Sequence, residues 1–176
     1  MRLPRLPMPE PAAAAGSAAE PGWLTPPRPA LAVCILRSHR LAFGRPLLPL
    51  RESALEPRHL AQELFQAPVV VLAHDGGVDP RLVWANRAAL QLWRRRWQEM
   101  VGLPSRLTAE PQWRQERAEA LQRARQQEAI AGYAGVRVDS RGRRFRIEAA
   151  RLWTLRDSAG APCGQAAAFS RWWWLD

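Results

Sequence analysis

In the stretch GLPSRLTAEP, Gly102 to Pro111, a serine, a threonine and a glutamate fall within six residues and are ringed by Leu103, Pro104 and Leu107. A serine hydroxyl becomes a nucleophile only beside a base held by a third group. Of the three histidines, His39 and His59 belong to flanking helical segments, and only His74 stands next to an acid, Asp75. Neighbouring side chains on a strand point to opposite faces, so a Ser105–His74–Asp75 triad is not expected to assemble. The chain has no GxSxG elbow, GxGxxG loop, Walker loop or HExxH. No catalytic residue and no metal ligand is therefore assigned, and a small hydrolase using Ser105 is kept as an alternative. His74 reads as a turn residue donating to backbone. The stretch itself reads as a lid: Gly102 ends one helix, Pro104 and Leu107 pack down, and Thr108 caps the next helix. Ser105 or Arg106 then faces a cavity, where Arg106 is suited to a ligand carboxylate. The competing and preferred reading pairs Arg106 with Glu110 and fills the cavity with Trp84, Trp93, Trp113 or Trp153.

The net charge is +10, and all 26 basic residues are arginine. Such usage fits a GC-rich coding bias as well as a binding face. Acid-containing runs such as WRQERAEALQRAR, with Glu119 four residues before Arg123, favour a solvated helix surface. Nucleic-acid association through Arg137, Arg141, Arg143, Arg144 and Arg146 is a secondary reading, recognisable by steep salt dependence. Cys34 and Cys163 form no CxxC and have no histidine at metal-ligand spacing, which fits a reduced, cytoplasmic setting. No stretch approaches the roughly 20 apolar residues of a membrane span. The N-terminus lacks the apolar core of a secretory signal.

Residues 1–27 are Pro/Ala-rich without periodicity and read as a disordered tail. Residues 28–57 supply an amphipathic helix, with Leu31, Ile35, Leu36, Leu41 and Ala42 inward, and a linker. The main domain spans 58–176. It opens with a short helix carrying Leu60, Leu64 and Phe65, followed by a hairpin of VVVLAHD and RLVWAN. Asn86 is placed to cap the helix RAALQLWRRRWQEM, whose buried stripe is Ala89, Trp93, Trp97 and Met100. A further helix, QWRQERAEALQRARQQ, turns Trp113, Ala120, Leu121 and Ala124 inward. The last third is a three-stranded meander. In its middle strand Phe145, Ile147, Ala149, Trp153 and Leu155 share one parity, and a bulge is expected at Arg151–Leu152.

This order resembles the PAS fold, and the blocks LFQAPVVVLAHD, WANRAALQLW, GLPSRLTAEP, YAGVRVDSRGRRFRIEAARLW and GQAAAFSRW resemble the MEKHLA domain, a PAS-related family. The resemblance implies an α+β fold, a five-stranded antiparallel sheet with helices on one face and an N-terminal helical extension. It implies a non-enzymatic sensory or interaction role, through small-ligand binding or dimerisation. With no output domain in the sequence, the partner is expected to be a second copy or a separate signalling protein. The candidate pocket residues are Trp84, Trp93, Ser105, Arg106, Thr108, Tyr133 and Trp153. In flavin-binding, light-sensing PAS proteins a cysteine stands where this chain has Ser105, so a covalent flavin adduct is not expected. GQAAAF likewise puts small apolar residues where an amide is usual. No histidine lies in the central helices to hold haem, and the cofactor is left open. Arg171, Trp172, Trp173 and Trp174 form the candidate partner surface, because alternate residues of a strand cannot all be buried on one face.

Overall fold

The computed structural model describes residues 19–175. Two helices, α1 (Arg28–Phe43) and α2 (Pro57–Gln66), precede the strands β1 (Val70–His74) and β2 (Leu82–Ala85). Helices α3 (Arg87–Trp93), α4 (Trp97–Met100) and α5 (Pro111–Gln126) lead to β3 (Ala129–Val138), β4 (Arg144–Arg156), β5 (Pro162–Phe169) and β6 (Arg171–Trp174). All pairings are antiparallel, in the order β2-β1-β5-β4-β3. The final strand expected from the sequence breaks at Ser170 into β5 and β6, and β6 pairs with the first half of β4.

The sheet separates two apolar cores. On one face α1 and α2 bring Ile35, Leu36, Leu64 and Phe65 against Trp84, Trp153 and Leu155. On the other face α3 and α5 cover Tyr133, Phe145, Ile147 and Leu152. A strand can serve both cores because its side chains alternate. In β4 that alternation is reset at Ala149, which has φ 52° and is exposed. The irregularity expected at Arg151–Leu152 therefore sits two residues earlier. Ala150 and Leu152 continue the face of Phe145 and Ile147, while Trp153 and Leu155 turn to the N-terminal helices.

Three further expectations are corrected. The helix read as continuous from Arg87 to Met100 is broken at Arg94, which is left-handed (φ 53°, ψ 49°) and pairs with the buried Asp139 at 3.1 Å. As a result Trp97 leaves the stripe of Ala89, Trp93 and Met100 and packs in the opposite core. Leu41 of α1 is 70% exposed, and the inward positions include Ala32, Ser38 and His39 instead. Residues 19–27 are not a free tail: Trp23 stacks on Phe65 at 3.5 Å between ring centroids, and its indole N–H donates to Gln62 at 2.7 Å. Residues 1–18, where the rest of the tail was placed, lie outside the described residues.

Candidate functional site

Between the sheet and α5 lies a cavity with about 40 Å³ of room for water-sized atoms. Its apolar wall is built by Leu82, Trp93, Ile147, Leu152 and Phe169. Its polar groups are His74, Thr108, Arg117, Tyr133, Arg137 and Gln165.

Each polar group has a local cause. On β3, Tyr133 and Arg137 share a face because they are four residues apart. Gly135 between them leaves the space they use: a Cβ there would lie 2.6 Å from the Tyr133 hydroxyl and 3.1 Å from Arg137 Nη1. Arg137 Nη2 donates to that hydroxyl at 3.0 Å, and Nη1 donates to the Val136 carbonyl at 2.7 Å. Arg117 shares the inner stripe of α5 with Ala120, Leu121 and Ala124, at helical spacing. Burial, and then the charge of Arg137, pull its pKa down to about 10. Among the described residues neither arginine pairs with a carboxylate.

His74 ends β1, where Gly164 on β5 lies so close to the His74 carbonyl that a Cβ would collide with it. Its Nδ1 accepts from the Gly76 N–H at 3.1 Å, which places the proton of the neutral ring on Nε2. The ring therefore accepts from the turn rather than donating to it, and Nε2 has no partner. Burial, then Arg117, lower its pKa to about 4. On β5, Gln165 Nε2 donates to the Leu121 carbonyl at 2.8 Å, while Oε1 is buried without a partner.

Of the seven pocket residues expected from the sequence, Trp93, Thr108 and Tyr133 line this cavity. Trp84 and Trp153 are fully buried in the other core, on the far side of the sheet. Thr108 is not a helix cap. It closes a 3-10 turn over Ser105–Thr108, its hydroxyl donating to the Ser105 carbonyl at 2.8 Å, and Glu110 takes the cap position. Arg106 points outward and pairs with Asp79 at 3.1 Å rather than with Glu110. Ser105 is buried, and its hydroxyl contacts no base. Asp75 accepts from the Gly77 and Arg81 N–H groups, not from His74, so the three triad candidates are not assembled. An outer cleft lined by Arg106, Arg114 and Arg125 meets the cavity at His74, Arg117, Leu121 and Gln165.

Sequence reasoning missed His74, Arg117, Arg137 and Gln165 as pocket residues. GQAAAF does supply an amide to the cavity, Gln165, although the segment reads as small and apolar. Neither cysteine lines the cavity. Cys34 and Cys163 meet on the opposite face of the sheet, with their sulfurs 3.9 Å apart. The volume is far short of a flavin ring system, so the residues present do not fit that cofactor.

The arginines of the meander do not form one free positive face. Arg137 is buried, Arg143 lies over the Trp174 ring at 4.2 Å, and Arg146 is 3.8 Å from Glu148. Near the C-terminus Arg171 pairs with Glu148 at 3.4 Å. Trp172 and Trp174 meet each other and Phe145 edge to face. Trp172 and Trp173 are 37% and 43% exposed. No helix among the described residues is long and apolar enough to cross a membrane.

The MEKHLA domain family matches this sequence over residues 30–174. No curated protein matches it. Among solved structures, the PAS domain of a protein from Colwellia psychrerythraea is similar with a TM-score of 0.56 at 12% identity, over 63% of this chain and 92% of that one. An RNA-binding light-oxygen-voltage receptor gives a TM-score of 0.56 at 23% identity, over 75% of this chain and 35% of the receptor. A light-oxygen-voltage protein of Rhodobacter sphaeroides gives 0.50 at 15% identity, over 62% of this chain and 61% of that one. At these identities the likeness establishes the fold alone.

Proposed function

Because this chain belongs to the MEKHLA domain family, we propose that it is a non-enzymatic, cytoplasmic PAS-like sensory domain that holds a small ligand in the cavity between α5 and the sheet. One observation carries this reading. The cavity is lined by buried polar atoms without partners, His74 Nε2 and Gln165 Oε1, set in an apolar wall. Buried polar groups are normally satisfied, and ligand sites are apolar with a few oriented polar groups. The non-enzymatic reading is supported by Ser105, whose hydroxyl has no base within reach.

A route outward is built into the same residues. Gln165 ties β5 to the backbone of α5, while its neighbours Ala166 and Ala168 face the core under α1 and α2. A shift of β5 on ligand entry is thereby felt by the N-terminal helices. The output then passes to a second copy or to a separate signalling protein, with the exposed Trp172 and Trp173 as the contact surface.

Native mass spectrometry of the purified chain, with an absorption spectrum of the same sample, tests the reading. A small molecule that stays bound in gentle ionisation and is lost on denaturation is the expected result. A ligand-free chain that also fails to bind any small solute would overturn it, and the same spectrum counts the chains per particle.

A further inference from the structure

We propose that the inner cavity takes a short-chain carboxylic acid, held as its carboxylate between Arg117 and Arg137 with the His74 Nε2–H as a third donor. The proposal rests on the cavity being the ligand site of the domain.

Two guanidinium groups from different elements, α5 and β3, line one small space. Like charges brought together away from water raise the free energy of the fold unless an anion joins them. Among the described residues no carboxylate pairs with either guanidinium. Acids around this end of the domain are engaged elsewhere: Asp75 with the Gly77 and Arg81 N–H groups, Asp139 with Arg94, Asp79 with Arg106, and Glu110 toward Arg144. Arg137 spends its hydrogen bonds on a neighbouring carbonyl and a phenol, and Arg117 makes no ion pair among the described residues. His74 adds a donor that is 4% exposed and unpaired. Three donors with no carboxylate partner among the described residues match a planar two-oxygen anion, which guanidinium groups bind in bidentate fashion. Gln165 Oε1, an acceptor, suits a water or a hydroxyl on the ligand. The volume sets the size, since about 40 Å³ holds about three water-sized groups, which matches the two oxygens and the methyl of acetate and makes affinity fall from acetate to butanoate. Arg114 and Arg125 around the outer cleft draw anions toward the mouth, Arg106 being neutralised there by Asp79.

The test is a titration of the full chain with acetate, propanoate and butanoate, with the matching amides, and with inorganic phosphate. Binding is read by calorimetry and by the change in tryptophan fluorescence that Trp93 in the cavity wall contributes, identified by its loss in Trp93→Phe. The acids are expected to bind about tenfold or more tightly than their amides, because charge-assisted bonds are roughly twice as strong as neutral ones. Arg117→Met and Arg137→Met should each remove that preference. The unliganded melting temperature of Arg117→Met should be unchanged or higher, since one of two repelling charges is gone, whereas Arg137→Met also gives up the bonds to the Tyr133 hydroxyl and the Val136 carbonyl and should melt lower. Amides binding as well as acids would overturn the carboxylate inference while leaving the cavity as the ligand site. Acid binding that survives both variants, or phosphate binding without acid binding, would place the anion at the outer arginines and also overturn it. Failure of every acid and amide, together with a ligand-free native spectrum, would remove both readings. Should either variant not fold, the acid-to-amide ratio in the natural chain decides alone.

A second, independent observation lies on the other face. Cys34 on α1 and Cys163 on β5 have their sulfurs 3.9 Å apart, and Cys163 is exposed. The geometry points to a reversible disulfide that clamps α1 to the sheet. As the S–S bond forms, the two thiols give up two protons and two electrons, and oxidised glutathione takes them up as two molecules of glutathione. Partial desolvation where the sulfur meets α1, and then the neighbouring Cys34, push the Cys163 thiol up to about 11, so the reaction is slow at neutral pH and quickens in alkali. After incubation with oxidised glutathione at pH 8.5, intact mass should fall by two hydrogens, and peptide mapping should join Cys34 to Cys163. Cys163→Ser should abolish the link. Only a glutathione adduct at Cys163, or a cross-link between chains, would overturn the assignment.

Discussion

Asn86→Ala is expected to lower the stability of the domain by about 3 kcal/mol, the sum of a lost cap and of buried groups left unpaired. Asn86 is fully buried and makes four hydrogen bonds. Its Oδ1 accepts from the Ala89 N–H at 3.1 Å, capping α3, and from the Val71 N–H at 2.9 Å on β1. Its amide donates to the carbonyls of Val69 at 2.6 Å and Ala67 at 3.1 Å, where α2 runs into β1. One side chain thus ties the end of α2, the start of β1 and the start of α3. Alanine removes all four bonds and leaves a buried N–H at Val71 with no partner. Asn86→Ser should keep the cap and fall between the two. Urea unfolding measures both, with the midpoint moving and the slope unchanged if only stability is altered. A loss no greater than the roughly 1 kcal/mol of a cap alone would mean that the bonds across β1 contribute nothing.

Asn86 also marks what the sequence makes legible. A short polar residue between a β-branched run and a helical run has a local meaning, and the cap is readable from it. The strands of the meander are readable for the same reason, since alternation is a local signal. The break at Arg94 is not, because RRR carries no turn residue. What holds that bend is an ion pair to Asp139, 45 positions later. The exchange of faces at Ala149 is hidden likewise, since alanine suits either face. For the cavity, helical spacing puts Trp93 inside, but arginine reads as surface. Nothing local says that Arg117 and Arg137 share one space, although their positions on the apolar stripe of α5 and on the face of Tyr133 were signals in plain view. Trp84 and Trp153 were assigned to the pocket because they are large and apolar. Which of the two cores receives them depends on strand parity relative to the sheet, and that is fixed only when the strands pair.

Lowering the pH from 7 to 4 should remove roughly 3 kcal/mol of stability for each of His39 and His74, as an upper figure. Both rings are buried as neutral imidazoles, and both pKa values are lowered from 6.5 to about 4. For His39 burial is the first cause and the charge of Arg151 the second. Its Nδ1–H donates to the Arg45 carbonyl at 3.1 Å, and its Nε2 accepts from Arg151 at 2.7 Å, so a second ring proton would oppose a guanidinium head-on. For His74 burial comes first, then Arg117, opposed by Asp75. Above pH 6.5 neither folded nor unfolded chain protonates these rings, and their full contribution is present. Between 6.5 and 4 the unfolded chain takes up protons that the folded one refuses, so stability falls as the pH drops. Below 4 the folded rings also protonate and the loss levels off. Since His39 joins α1 to Arg151 on β4, α1 should loosen first, seen as faster amide exchange in α1 than in the sheet at pH 5. His39→Gln offers Arg151 an uncharged acceptor and should shed about half of the slope. A flat profile from 6.5 to 4.5, or a slope unchanged by His39→Gln, would sink the assignment. Above about pH 5, before the carboxyl groups held down in the fold at Asp75 and Glu99 begin to contribute, the remaining slope belongs to His74, where a carboxylate in the cavity favours the charged ring and raises its pKa back toward the ordinary value. Saturating acetate or propanoate should therefore flatten what His39→Gln leaves between 6.5 and about 5, where both ligands are still carboxylates, while the matching amide leaves it steep.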